Sequence, residues 1–264
     1  MDSADQSTVR LAVLIDADNA QPAAVVPLLA EVAKYGTAHA KRAYGDWTGT
    51  GLRGWKEHLL AQSIQPIQQF AYTTGKNATD AALIIDAMDL LYTGRFDGFC
   101  IVSSDSDFTR LASRIRESGL TVYGFGERKT PHSFVAACDK FVYTENLTLG
   151  LPTPLQTIVV KPRTSATDPS IDNALVTQLR DAVEAASGDD GWAHLATVGH
   201  LLTKRRPDFD SRTYGYAKLT DLVTATALFE VDRRLPADGK PAVVYVRDRH
   251  SATPRRGTDS IHGP

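Results

Sequence analysis

Leu11-Ala12-Val13-Leu14-Ile15-Asp16-Ala17-Asp18-Asn19 is the stretch that decides the fold: five apolar residues that run straight into two carboxylates and an amide. A compact apolar run of this length reads as a buried strand. The segment 22–35 after it reads as a helix, with Pro22 suited to a first helical position and Gly36 to a C-terminal cap. Thr37–Tyr44 and Ile64–Phe70 read as further strands on either side of a helical stretch around Leu52–Gln62. A helical pattern follows over Ala78–Tyr92, ended by Gly94, then a strand at Gly98–Ser103. Phe108–Glu117 reads as a helix closed by Gly119, and Leu120–Phe125 as another strand. Strand then helix repeats about five times, which predicts an α/β parallel sheet covered by helices on both faces. In such sheets ligands sit at the carboxyl ends of the strands, where Asp16 and Asp18 arrive.

Composition agrees with a folded chain. Of 264 residues, 42% are apolar and 23% charged, close to globular averages, which excludes a fibrous or disordered protein. No apolar run approaches the roughly 18 residues of a membrane span, and the first ten residues lack the pattern of a signal peptide, so a cytoplasmic protein without membrane contact is expected. Cys100 and Cys138 lie in apolar surroundings without CxxC spacing and read as buried thiols. The net charge of −2 gives no long-range attraction for a polyanion, so a nucleic-acid ligand must be met by local patches or metal ions.

A linker is expected at 148–170, where prolines, serines and threonines concentrate. Beyond it, a helix at 171–186, a stretch His194–Lys204, a helix near Tyr214–Thr226 and apolar segments Leu228–Val231 and Ala242–Val246 suggest a small winged helix. The expected organisation is 9–147 for the first domain, 148–170 for the linker, 171–248 for the winged helix and 249–264 for a disordered tail.

The chemistry lies in the carboxylates. Asp16 and Asp18 end the first strand, Asp105 and Asp107 end the fourth, and Asp80 opens the helix of Gly75-Lys76-Asn77-Ala78-Thr79-Asp80. Two unscreened carboxylates about 4 Å apart repel by roughly 4 kcal/mol at an effective dielectric near 20, so their gathering calls for a cation. An oxygen-only donor set suits Mg²⁺ or Mn²⁺, and such a site serves hydrolysis of phosphodiesters. Asp16 and Asp105 are expected as direct ligands, Asp80 and Asp107 as ligands or water-positioning groups, and Asn19 as a donor to phosphate or to Asp16. The competing structural reading is helix capping by Asp105 and a capping box from Asn77 and Asp80. Asp86 and Asp89 read as solvated or internally bonded. Lys76 is a candidate phosphate contact, Lys41 and Arg42 share that ambiguity, and Trp47 is either a stacking surface for a base or a packing residue. The glycines of Gly45–Gly54 do not spell a P-loop, and no zinc spacing appears among the seven histidines.

With Ile15-Asp16-Ala17-Asp18-Asn19, then 75–88, then Ile101–Gly126 and the closing stretch Phe134–Leu147, the first half resembles the NYN domain family. That resemblance implies a PIN-like nuclease fold and a metal-dependent ribonuclease site at Asp16, Asp80 and Asp105, with Asp107 close by and Asn19 in the first motif. Ser104 stands where many relatives have glycine. Residues 191–223 are similar to the OST-HTH (LOTUS) domain, which implies a winged helix that binds RNA or a protein partner. Lys204, Arg205 and Arg206 give it a basic helix end, and Arg212, Tyr214, Tyr216 and Lys218 follow, either holding RNA or packing the module. The expectation is a metal-dependent ribonuclease, with a non-catalytic RNA-binding scaffold as the alternative. A haloacid-dehalogenase-type phosphatase fails at its own motif, because Asn19 and Ala20 follow Asp18.

Overall fold

The computed structural model describes residues 8–70, 78–148, 172–235 and 241–250, which fall into two compact units. In the first, β1 (Arg10–Asp16) is buried on both sides. Leu11, Val13 and Ile15 enter one hydrophobic cluster, while Ala12 and Leu14 enter another. The alternation follows from the two-residue period of a strand, and it explains why the sequence is apolar without interruption.

Around β1 the chain runs α1 (Val25–Val32), β2 (Thr37–Gly45), α2 (Lys56–Ala61), β3 (Gln65–Gln68), α3 (Ala78–Tyr92) and β4 (Gly98–Val102). It continues through α4 (Thr109–Glu117), β5 (Thr121–Gly126), α5 (His132–Ala137), β6 (Lys140–Tyr143) and α6 (Thr144–Thr148). The six strands form one parallel sheet in the order β3-β2-β1-β4-β5-β6. Helices cover both faces: α3, α4 and α5 pack on Ala12, Leu14, Phe99 and Ile101. On the other face, α1 and α2 pack on Val13, Ile15, Cys100 and Val102. Each fully buried large apolar side chain contributes roughly 1.5–3 kcal/mol, so this two-sided core holds the strand ends in place. The order reverses between β1 and β4, the switch point at which open α/β sheets bind ligands.

Three details of this unit differ from the sequence reading. The alternation yields five strands, whereas β6 adds a sixth of only four residues. The segment 22–35 begins with a short 3-10 turn at Pro22–Ala24, with Pro22 first as expected, but its α-helix stops at Val32. Gly36 is not a left-handed cap: a Cβ there would strike the Val9 carbonyl oxygen, so the need is close backbone approach. Gly94 and Gly119 do take positive φ, +64° and +82°, after α3 and α4.

The second unit holds α7 (Asn173–Ala186), β7 (Ala193–His194), α8 (Leu195–Arg205), α9 (Leu219–Ala225), β8 (Phe229–Arg234) and β9 (Val243–Asp248). The strands form an antiparallel sheet in the order β7-β9-β8, as a winged helix requires. Asp172 caps α7 by accepting from the Leu175 amide at 2.7 Å. The expected helix over 214–226 is split, because Ser211–Tyr214 form a 3-10 turn that Gly215 ends at φ +84°. Ala193, Phe229 and Val246 face the buried side of the sheet. Tyr245 and Arg247 alternate with Val246 and take the other face, opposite Asp232 and Glu230 of β8. There Arg234 lies over the Tyr245 ring at 4.3 Å and the Trp192 ring at 5.0 Å, and Arg247 over Trp192 at 4.6 Å. Each such cation–π contact contributes about 0.5–1 kcal/mol, against up to about 2 kcal/mol for fixing each long arginine, and Asp232 and Glu230 pair with the two guanidinium groups.

Candidate functional site

Asp16 is the last residue of β1, Asp105 lies three residues past the end of β4, and Asp80 sits in the first turn of α3. All three therefore reach the carboxyl edge of the sheet at its switch point. Asp80, Asp105 and Asp107 each bring one carboxylate oxygen within 4.8 Å of the other two. At that separation two unit charges repel by about 3 kcal/mol at an effective dielectric near 20. Asp80 is 9% exposed. Burial first, then the charges of Asp16, Asp105, Asp107 and Asp18, push its carboxyl up to about 6.

Asp105 also caps the turn before α4, because its Oδ1 accepts from the Asp107 amide at 2.9 Å. Capping and clustering thus coexist in one side chain: the carboxylate that caps the turn also comes within 4.8 Å of those of Asp80 and Asp107. Asn77, the other partner in the capping reading, lies outside the described residues, as does Lys76.

Asp16 does not belong to the group of three. It is fully buried and accepts from Ser103 Oγ at 2.7 Å, Asn19 Nδ2 at 2.8 Å and the Asn19 amide at 3.3 Å. Burial raises its carboxyl pKa, and the bonds from Ser103 and Asn19 oppose that rise. Asn19 accordingly fixes Asp16, one of its two expected roles. Asp18 accepts from Thr79 Oγ1 at 2.9 Å, linking the first strand to the start of α3.

Ser103 is the functional residue that sequence reasoning missed. It is 2% exposed; its Oγ donates to Asp16 and accepts from the Asp105 amide at 3.1 Å, so one hydroxyl ties both acidic motifs together. Strand parity could have found it: Leu14 pairs with Ile101 and Ile15 with Val102, making Asp16 and Ser103 the next pair. Ser104 points elsewhere and accepts from the Glu127 amide at 2.9 Å.

The weaker candidates divide. Arg42 and Tyr44 both bond Asp86, and Lys41 donates to the Gln62 carbonyl, so these side chains brace the sheet. Asp86 is thus internally bonded. Trp47 donates its indole N–H to the Ile67 carbonyl at 3.0 Å and packs on the α1 side of the core, the packing role of the two considered. Cys100 and Cys138 are buried free thiols, and burial pushes Cys138 up to about 12. Lys204 and Arg205 are exposed at the end of α8, whereas Arg206 pairs with Asp208 at 3.4 Å. Arg212 is held by Asp210 at 2.6 Å; Tyr214 and Tyr216 are half-buried, and Lys218 is exposed. No helix among the described residues is long and apolar enough to cross a membrane.

Comparison with known proteins adds sequence evidence. The NYN domain model matches residues 10–148, and the OST-HTH/LOTUS domain model matches residues 170–240. No curated protein matches the chain. Among solved structures, the chain is similar to a protein of unknown function, VPA0982, from Vibrio parahaemolyticus RIMD 2210633. The identity is 19%, with 54% of this chain and 96% of that one covered and a TM-score of 0.46. It is also similar to the uncharacterized protein from gene locus NE0665 of Nitrosomonas europaea, at 36% identity over 37% of this chain and 89% of that one, with a TM-score of 0.27.

Proposed function

We propose, from the premise that this chain belongs to the NYN domain family and carries an OST-HTH/LOTUS domain behind it, that it is a metal-dependent ribonuclease. The observation that carries the reading is the approach of Asp80, Asp105 and Asp107 to within 4.8 Å of one another. A purely carboxylate donor set fits a hard divalent cation, Mg²⁺ or Mn²⁺, and the raised pKa of Asp80 is what a cation would reverse. When bound, the cation supplies an activated water and neutralises charge at the scissile phosphate.

The chain's own residues supply position. Asp80 from the first turn of α3 and Asp105 and Asp107 from the single turn after β4 would hold the ion, and Asp16, fixed by Ser103 and Asn19, adds negative charge from the floor of the site. Asn19 keeps a second amide hydrogen for a phosphate oxygen, and Lys76, outside the described residues, is the phosphate contact expected from the sequence. Lys204 and Arg205, exposed at the end of α8, give the second unit its phosphate contacts, with RNA as the ligand and a protein partner as the other assignment for that unit; Arg206, the third contact expected, is paired with Asp208 and groups with the first unit. Release of counterions by such basic residues makes binding salt-dependent.

The test is cleavage of labelled single-stranded and structured RNA in Mn²⁺, Mg²⁺ or EDTA. Wild type is expected to cut only with metal, and Asp105→Asn to lose about 100-fold or more of that activity. RNA affinity of the variant in EDTA is expected to be equal or higher, since one negative charge is gone. Undiminished cutting by Asp105→Asn would remove this residue from the site. RNA binding without any cutting would assign the chain to a scaffold role.

A further inference from the structure

We infer that the outer face of the β7-β9-β8 sheet is a base-stacking platform for single-stranded RNA, built from the rings of Trp192 and Tyr245 and the guanidinium planes of Arg234 and Arg247. The inference rests on reading the chain as a protein that acts on RNA, and it adds where the second unit holds the strand. Strand alternation puts Tyr245 and Arg247 on one face. Arg234 bridges the two rings at 4.3 and 5.0 Å, Arg247 covers Trp192 at 4.6 Å, and His194 meets Tyr245 edge-on at 5.5 Å. Aromatic rings and guanidinium planes are the two kinds of surface on which unstacked bases pile.

Charge decides which part of the RNA fits. Arg234 pairs with Asp232 at 2.9 Å and Arg247 with Glu230 at 2.6 Å, so both guanidinium groups on this face carry a carboxylate beside them. A phosphate approaching either arginine meets that carboxylate and gains little. A base is neutral, stacks on the planes, and offers amino and imino N–H groups that Asp232 and Glu230 accept. Those acids are accessible, with side chains 46% and 49% exposed. Duplex RNA presents phosphates and keeps its bases stacked, so the fitting ligand is an unpaired strand.

The experiment uses the full chain in EDTA, with a fluorescein-labelled single-stranded oligoribonucleotide of about 12 nucleotides read by anisotropy. Trp192→Leu and Tyr245→Leu are each expected to lower affinity about 10-fold. The slope of log affinity against log salt is expected to stay unchanged, because no phosphate contact is lost. Arg234→Lys keeps the charge, loses the plane and is expected to lower affinity several-fold. It also serves as the deciding variant if melting curves show that a ring substitution disturbs folding. A duplex of the same sequence is expected to be indifferent to all three. Single-strand affinity within about twofold of wild type in the folded variants, equal losses on duplex with a shallower salt slope, or no binding by wild type would each overturn the inference. Self-association that disappears in the variants while RNA affinity stays would give the face to a second copy of the chain, and overturn it equally. Cleavage in Mn²⁺ is scored separately: ring-dependent binding without cutting defeats the ribonuclease reading and leaves the platform standing.

Discussion

Two carboxylates at opposite ends of one sheet titrate far apart. At the amino end, Asp97 precedes β4 and accepts from the Arg10 amide, Nε and Nη2 at 2.8, 3.1 and 2.9 Å, which holds its carboxyl down to about 2. At the carboxyl end, burial and four neighbouring acids push Asp80 up to about 6. Asp97 is exposed and would tolerate solitude, yet the fold supplies an arginine. Asp80 is buried and would gain most from a cation, yet the groups acting on it are acids. A chain selected only for stability would make the opposite choice, so the carboxyl end is where stability is given up to bring acids together.

The sharpest way to break this comparison is Asp80→Asn. Metal-dependent cleavage is expected to fall about 100-fold or more, while the metal-free protein at about pH 7.5 gains about 1–2 kcal/mol. The sign follows from a folded pKa raised above the unfolded one. The stability of the protonated form is fully present below about 4 and lost as pH rises through about 6. Wild type is thus penalised above about 6 and the variant is not, so the variant's advantage should vanish below about pH 4. Urea midpoints in EDTA at the two pH values measure it; an advantage that persists in acid would detach Asp80 from its acidic neighbours.

A smaller effect is expected at Ser103. Ser103→Ala removes the donor to Asp16 and the acceptor of the Asp105 amide, and should cost about 1–3 kcal/mol in thermal unfolding. A cost below about 0.5 kcal/mol would mean that Asp16 does not depend on the hydroxyl. Smallest is Asp97→Asn, because its pair is exposed. Here the folded pKa is depressed, so the contribution is present above about 3.8 and lost as pH falls through about 2. Wild type and variant should therefore differ slightly at neutral pH and converge near pH 2, as read by denaturant midpoints.

Much of this was legible in the sequence for a physical reason. A strand buried on both faces leaves an uninterrupted apolar run, and the acids after two such runs must arrive at one edge once the sheet is parallel. β6 escaped notice because Lys140–Tyr143 is too short to show a period and lies between two short helices. Gly36 looked like a cap because Gly commonly is one; only the neighbouring Val9 backbone reveals the close approach. Within the site, the acidic motifs announce themselves, but the hydrogen bonds from Ser103 and Asn19 that fix Asp16 do not. Serine is common in every loop, so its role emerges only from the register of β1 against β4.

The two-sided burial of β1 has a consequence for ion selection. Asp16 ends a strand locked between two cores and is itself clamped by three hydrogen bonds, so the base of the site cannot breathe with the radius of whatever enters. Asp80 enters from a helix and Asp107 from a 3-10 turn, and neither lies on a strand of the sheet. On the ribonuclease reading proposed above, discrimination between a smaller and a larger cation falls to the rim, and the strand beneath acts as its fixed gauge.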